Sequence, residues 1–133
     1  MATPLKPALF VLEARYAVCR LPPDAALPAE PAGAPFWSAT RTADELSLVL
    51  PEAAAPTHAR VETGWRCIGL HGPIPFTTVG VLASLTTAVA SAGISVFALS
   101  TFDTDYLLVK EPDLVRAIAA LRAAGHPVDG ARG

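Results

Sequence analysis

Residues Thr78-Val-Gly-Val-Leu-Ala-Ser-Leu-Thr-Thr-Ala-Val-Ala-Ser-Ala-Gly-Ile-Ser-Val-Phe-Ala-Leu99 decide the fold. Leu82, Leu85 and Val89 recur at steps of three and four residues, with alanines filling the gaps, which predicts a helix over Thr78–Ala92. Thr77 or Thr78 can cap its start, and Gly93 suits the left-handed position just past its end. Ile94 to Leu99 is rich in strand formers and reads as the next element. The pattern then returns. Ala92-Gly-Ile-Ser-Val96 is echoed by Ala124-Gly-His-Pro-Val128, which also follows a helical run, through Leu114, Val115, Ile118 and Leu121. Pro112 sits well in the first turn of that second helix.

Working outward, Trp65 to His71 can form a strand, Gly72-Pro-Ile-Pro75 a turn, Ser100 to Thr104 another turn, and Tyr106 to Val109 a further strand. Pro127-Val128 can start a last short one. The order is β-α-β-β-α-β, the ferredoxin-like arrangement of the α+β class, in which two helices cover one face of a four-stranded antiparallel sheet. Ahead of it, Leu9 to Leu21 reads as a long strand. Pro22, Pro23, Pro28, Pro31 and Pro35 then exclude helix and central strand, so that run is a loop with polyproline II character. Phe36 to Thr40 is a short strand, Thr42 to Glu45 a single turn with the look of a capping box, and Leu46 to Leu50 a third strand. Pro51 to Gly64 is a second loop and the expected boundary. It divides a truncated, mostly β unit over 1–63 from a complete unit over 64–133. The first cannot bury a core alone, so it must pack on the second or on a neighbouring chain.

Composition narrows the function classes. With 133 residues, 52% hydrophobic, 17% charged and mean hydropathy +0.42, the chain is no disordered segment. Ten Lys and Arg against 12 Asp and Glu, with no basic block, disfavour nucleic acid as a partner. Cys19 and Cys67 fit neither a disulfide scaffold nor a metal-ligand spacing. The N-terminal residues do not read as a signal peptide, so a cytoplasmic protein with reduced thiols is expected. Cys67 to Phe102 carries no Asp, Glu, Lys or Arg, long enough to span a bilayer. Its serines, threonines and prolines, and its change of period, point to a buried strand–helix–strand and to no membrane partner.

No catalytic constellation emerges. Gly64-x4-Gly69 is followed by Leu70-His71 where a phosphate loop needs Lys-Ser/Thr. There is no GxSxG and no HExxH, and His58, His71 and His126 are scattered. A non-enzyme without cofactor or metal is expected. What stands out is Ile94 to Tyr106, an apolar run leading into a turn that holds Asp103 and Asp105. Aspartate is common in hairpin turns because it bonds its own backbone. The functional reading pairs these carboxylates with Gly72-Pro-Ile-Pro-Phe-Thr-Thr-Val-Gly80, which leads to a helix start. The free N–H groups and dipole of such a start favour a carboxylate. An acceptor opposite an anion-binding helix start is what a zwitterionic amino acid requires.

At these residues the chain resembles a known family. Gly72 to Val128 is similar to the ACT domain, the amino-acid-sensing regulatory module. The similarity extends to tandem-ACT proteins related to the regulatory part of aspartokinase and to the eukaryotic cytosolic arginine sensors. The matching pieces are Ile94-Ser-Val-Phe and Ser100-Thr-Phe-x-Thr-Asp-Tyr-x-Leu-Val109. Phe36-Trp-Ser-x-Thr-Arg-Thr-x-Asp-Glu-Leu-Ser47 and Gly64-Trp-Arg-Cys67 resemble the first-half signature of the small bacterial members. The resemblance implies two ACT-like units, the first truncated, with an amino acid bound where units meet and a homodimer restoring the interface that a single complete unit lacks. It implies effector contacts from Ser95 and Val96 on a strand, from Thr101, Phe102 and Asp105 in the turn, and from a covering loop over Pro75–Gly80 (Phe76, Thr77, Thr78, Val79 and Gly80), and the acidic-turn reading adds Asp103. In this reading Asp105 accepts the ligand ammonium or a basic side chain. The N–H groups of Thr77 to Gly80 hold its carboxylate, and Phe102 with Val96 supplies apolar wall.

Overall fold

The computed structural model describes residues 6–132. Two compact units emerge: unit 1 takes the chain up to Glu13 together with Arg66–Arg132, and unit 2 takes Ala14–Trp65. Two long strands, β1 (Leu9–Leu21) and β4 (Arg60–Leu70), contribute one half to each unit.

Unit 1 follows the expected element order. After β4 come α1 (Val81–Ser91), β5 (Phe97–Ser100), β6 (Asp105–Lys110), α2 (Leu114–Ala123) and β7 (Val128–Arg132). This is the ferredoxin-like order of an α+β fold. The sheet departs from the four strands expected. The first half of β1 lies between β7 and β4, giving the order β7-β1-β4-β6-β5, and β7 pairs with β1 in parallel, Leu9 opposite Val128. The long N-terminal strand therefore occupies the place that β4 and β7 would otherwise share. Leu9, Val11, Ile68, Leu70, Leu107 and Val109 point from the sheet into one core with Leu85 and Val89 of α1 and Ala117 and Leu121 of α2. That is the period-2 face of each strand meeting the apolar stripe of each helix.

Both helices stop at a glycine in the left-handed region, Gly93 at φ 77° and Gly125 at φ 97°. At each exit the glycine and the next residue donate back into the last turn: Gly93 to Ala90 and Ile94 to Val89, then Gly125 to Arg122 and His126 to Leu121. Glycine adopts this conformation without the Cβ clash of other residues, and the bonds satisfy carbonyls the helix leaves open. Arg116 of α2 donates to the Ala92 carbonyl just past α1 at 2.6 Å, a cation where the helix dipole is negative.

Several boundaries differ from expectation. The helix begins at Val81, not at Thr78. The Thr78 N–H is held in a turn by the Pro75 carbonyl at 3.0 Å, and Gly80, at φ 85°, is the N-cap residue, with no side-chain cap. Neither Thr77 nor Thr78 caps it. The strand after α1 begins at Phe97, opposite Leu108, so Ser95 and Val96 precede the ladder instead of belonging to it. The same register would set Val96 opposite Val109 and Ser95 opposite Lys110, both still within β6, yet the ladder stops at Phe97 and Val96 packs against the core of unit 1. Finally, β4 starts at Arg60, five residues before the expected Trp65. Gly64, at φ 81° inside it, made that stretch read as loop.

Unit 2 is built of strands and short turns. β2 (Ser38–Arg41) and β3 (Leu46–Pro51) form a hairpin, and β3 pairs antiparallel with the second half of β1, from Tyr16 opposite Pro51 to Leu21 opposite Leu46. β2 lies slightly later than the Phe36–Thr40 expected. The capping-box residues close the hairpin instead of a helix. Thr42 Oγ1 accepts the N–H groups of Asp44 and Glu45 at 3.1 and 3.2 Å, and the Thr42 N–H donates to the Glu45 carbonyl at 2.9 Å. Ala17, Cys19, Leu21, Leu46, Leu48 and Leu50 form its core, packed with Ala25, Trp37, Ala54 and Ala55.

Candidate functional site

The acidic turn and the segment leading into α1 border one cavity inside unit 1, of about 280 Å³. One wall is Ile74, Pro75, Phe76 and Thr78, continued by Gly80 and the first turn of α1, Val81 to Ala83. The other is Ser100 to Asp105. The walls are tied at their base. The Ile74 N–H donates to the Asp103 carbonyl at 2.6 Å, and the Thr104 hydroxyl donates to the Leu70 carbonyl at 2.9 Å. At Gly72 a Cβ would meet the Asp103 carbonyl oxygen at 3.0 Å and the Thr104 Cβ at 3.1 Å, so the close approach depends on glycine. At the rim the rings of Phe76 and Phe102 meet edge to face, centroids 4.8 Å apart, although both are largely solvent-exposed.

The turn is held by its own side chains. The Thr101 N–H donates to the Thr104 carbonyl at 2.8 Å, and the Thr104 N–H to Thr101 Oγ1 at 3.2 Å. Ser100 Oγ donates to Asp105 Oδ1 at 2.6 Å, which orients the half-buried Asp105 carboxylate. A carboxylate has about four acceptor positions, so this bond leaves Asp105 able to take a cationic group. On the facing wall, the Ser84 N–H is the first to bond within the helix turn, to the Gly80 carbonyl at 2.9 Å. The preceding N–H groups of an α-helix have no intrahelical acceptor and carry the positive end of the dipole. Those of Val81, Leu82 and Ala83 belong to residues that line the cavity.

Of the residues singled out in the sequence, Phe76, Thr78, Gly80, Thr101, Phe102, Asp103 and Asp105 line this cavity, and Thr77, Val79, Ser95 and Val96 do not. Val79 is 93% exposed. Val96 packs instead against the core of unit 1. The later helix start moves the N–H donors from Thr77–Gly80 to Val81–Ala83. Ile74, Pro75, Val81, Leu82, Ala83, Ser100 and Thr104 also line the cavity and were not singled out, although the hydroxyls of Ser100 and Thr104 in the turn were a usable signal.

Cys67 is fully buried, and burial pushes its thiol up, away from the nucleophilic thiolate; Cys19 shifts the same way for the same cause. Among the described residues no group of three or more His, Cys, Asp or Glu is placed to hold a metal ion, and no helix is long and apolar enough to cross a membrane.

A family model described as the ACT domain matches residues 60–123, and a second, described as an N-terminal domain, matches residues 14–58. No curated protein matches the chain. Among solved structures, a protein of Agobacterium tumefaciens is similar at TM-score 0.88 and 36% identity, over 97% of this chain and 96% of that one. A protein of Vibrio cholerae gives TM-score 0.69 at 21% identity over 90% of each chain. The regulatory subunit of aspartate kinase from Thermus thermophilus gives 0.61 at 13% identity, over 92% of this chain and all of that one. At such identities the last two likenesses speak for the fold.

Proposed function

Since this chain belongs to the ACT-domain family, we propose that it is a non-catalytic regulatory protein whose unit 1 cavity binds a free amino acid. One observation carries the reading: the Asp103–Asp105 turn and the first turn of α1 line the same cavity. Asp105, held by Ser100, takes the ligand ammonium. The N–H groups of Val81 to Ala83 take its carboxylate, aided by the helix dipole. Phe76, Phe102 and Leu82 supply the apolar wall. The exposed rings of Phe76 and Phe102 at the rim support a second copy of the chain docking there and completing the enclosure, as a homodimer in the cytoplasm.

Calorimetric titration with each of the twenty amino acids tests this. One or a few are expected to bind, and Asp105→Ala is expected to weaken that binding about ten-fold or more, the worth of a bond to a charged group, while the variant stays folded. Absence of binding at millimolar concentration, or unchanged affinity in Asp105→Ala, contradicts the reading. The same exposed rim also favours a second reading, a docking face for another protein without any small ligand. In that case no amino acid binds, while Phe102→Ser abolishes capture of the partner.

A further inference from the structure

Unit 2 holds a cavity of its own, of about 470 Å³, which the reading above does not use. Leu21, at the end of β1, is its floor. Ala26, Pro28 and Ala29 of the proline-rich segment form one wall, and residues 53–58 form the other. The volume lies within the range of small-ligand pockets.

The space is held open by its own construction. The alanines and prolines of its walls have no side-chain rotamers that could swing into the gap, so those walls could close only by backbone movement. That backbone is pinned on both sides. The Arg41 guanidinium donates to the carbonyls of Pro23 and Ala25, the latter at 2.8 Å, and the Ala25 N–H donates to the Pro22 carbonyl at 3.1 Å. Opposite, the Ala55 N–H donates to the Glu52 carbonyl at 3.1 Å, while the Glu52 carboxylate accepts the Gly64 N–H at 2.6 Å. Among the described residues no carboxylate, ammonium or guanidinium group lines the cavity. Its polar end is Thr57 and His58, both solvent-exposed, in a turn whose Ala59 N–H reaches the Pro56 carbonyl at 3.4 Å.

We propose that this cavity binds a small monocarboxylic acid with a compact apolar body. The body lies over Leu21 between the alanine and proline walls, and the carboxylate meets the Thr57 hydroxyl and the His58 imidazole. The hydroxyl donates one bond, and an imidazole N–H donates another. An occupant with a second charged group, such as a zwitterion, would find no partner for that charge on the alanine and proline walls. The cavity thus takes a different ligand class from the one proposed for unit 1.

Amide chemical-shift titrations of the full chain with benzoate, benzyl alcohol and phenylalanine test the proposal. Benzoate is expected to give saturable shifts at Ala29, Thr57 and His58, and phenylalanine none there. His58→Ala is expected to weaken benzoate about ten-fold and benzyl alcohol less than about two-fold, as for loss of a charge-assisted bond. Ala53→Leu and Ala29→Leu, which fill the space from opposite walls, are each expected to remove both probes while the melting temperature holds. No saturable shift from benzoate, an equal loss of benzoate and benzyl alcohol in His58→Ala, or binding that survives both filling variants overturns it.

Discussion

Unit 1 roofs its core with helices, whereas unit 2 covers its own with loops, and the difference decides which polar groups remain free for a ligand. A helix satisfies its backbone internally except at its ends. In unit 1, α1 and α2 bury Leu85, Val89 and Leu121 at no cost in side-chain partners, and the unsatisfied end of α1 falls at the cavity facing Asp105. In unit 2 the covering segments have no such ladder. Arg41, Thr42 and Glu52 are spent on holding carbonyl and N–H groups of loops and turns. One cavity is therefore edged by charge and dipole, the other by alanine and proline.

The contrast can be broken at several points. Leu85→Ala, beneath the helical roof, is expected to cost about 2–5 kcal/mol, read from chemical denaturation. A loss under about 1 kcal/mol would mean that the helices are not what holds unit 1 together. Gly93→Ala and Gly125→Ala force a Cβ into left-handed backbone and are each expected to cost about 1–2 kcal/mol. Arg41→Ala should cost about 1 kcal/mol and speed hydrogen exchange at the Ala25 amide, because the proline-rich segment loses its clasp. Unchanged exchange would show that the prolines alone fix that loop.

The finest probe is pH. His126 lies behind α2, 1% exposed, with Nε2 3.3 Å from Ser84 Oγ on α1. Burial first, and the positive charge of Lys6 second, hold its pKa below the ordinary histidine value, with a smaller opposing influence from the Pro7 backbone. The folded state thus prefers the neutral ring. Its contribution is fully present above the unfolded pKa of about 6.5 and is lost as pH falls below that towards the lower folded value. The melting temperature is expected to fall between pH 7 and 5 in the native chain, and to fall less in His126→Leu. Equal slopes would remove His126 as the cause.

Much of this was legible in the residues. The three- and four-residue spacing of Leu82, Leu85 and Val89, and the glycine exits at Gly93 and Gly125, placed both helices, and β1 matched its expected ends at Leu9 and Leu21. Those signals are local, and local physics fixes them. What failed depends on contacts distant in sequence. No pattern within β1 says that its first half inserts between β7 and β4. The helix start was misread because a threonine before an apolar run is a good cap, but Gly80 and the turn at Pro75 claimed that place. Ser95 and Val96 were assigned to a strand that begins only at Phe97, because Val96 packs into the core of unit 1 instead of joining the ladder. Asp105 and Thr78 share a cavity in a way that spacing could suggest but only the sheet and helix positions could bring about.

The most direct test is amide chemical-shift mapping of the native chain during titration with the twenty amino acids in turn. A binding amino acid is expected to shift Val81–Ala83 and Ser100–Asp105 together, with one shared dissociation constant. Shifts confined to one of those two segments, or lying elsewhere in the chain, would contradict a single site built from the acidic turn and the start of α1.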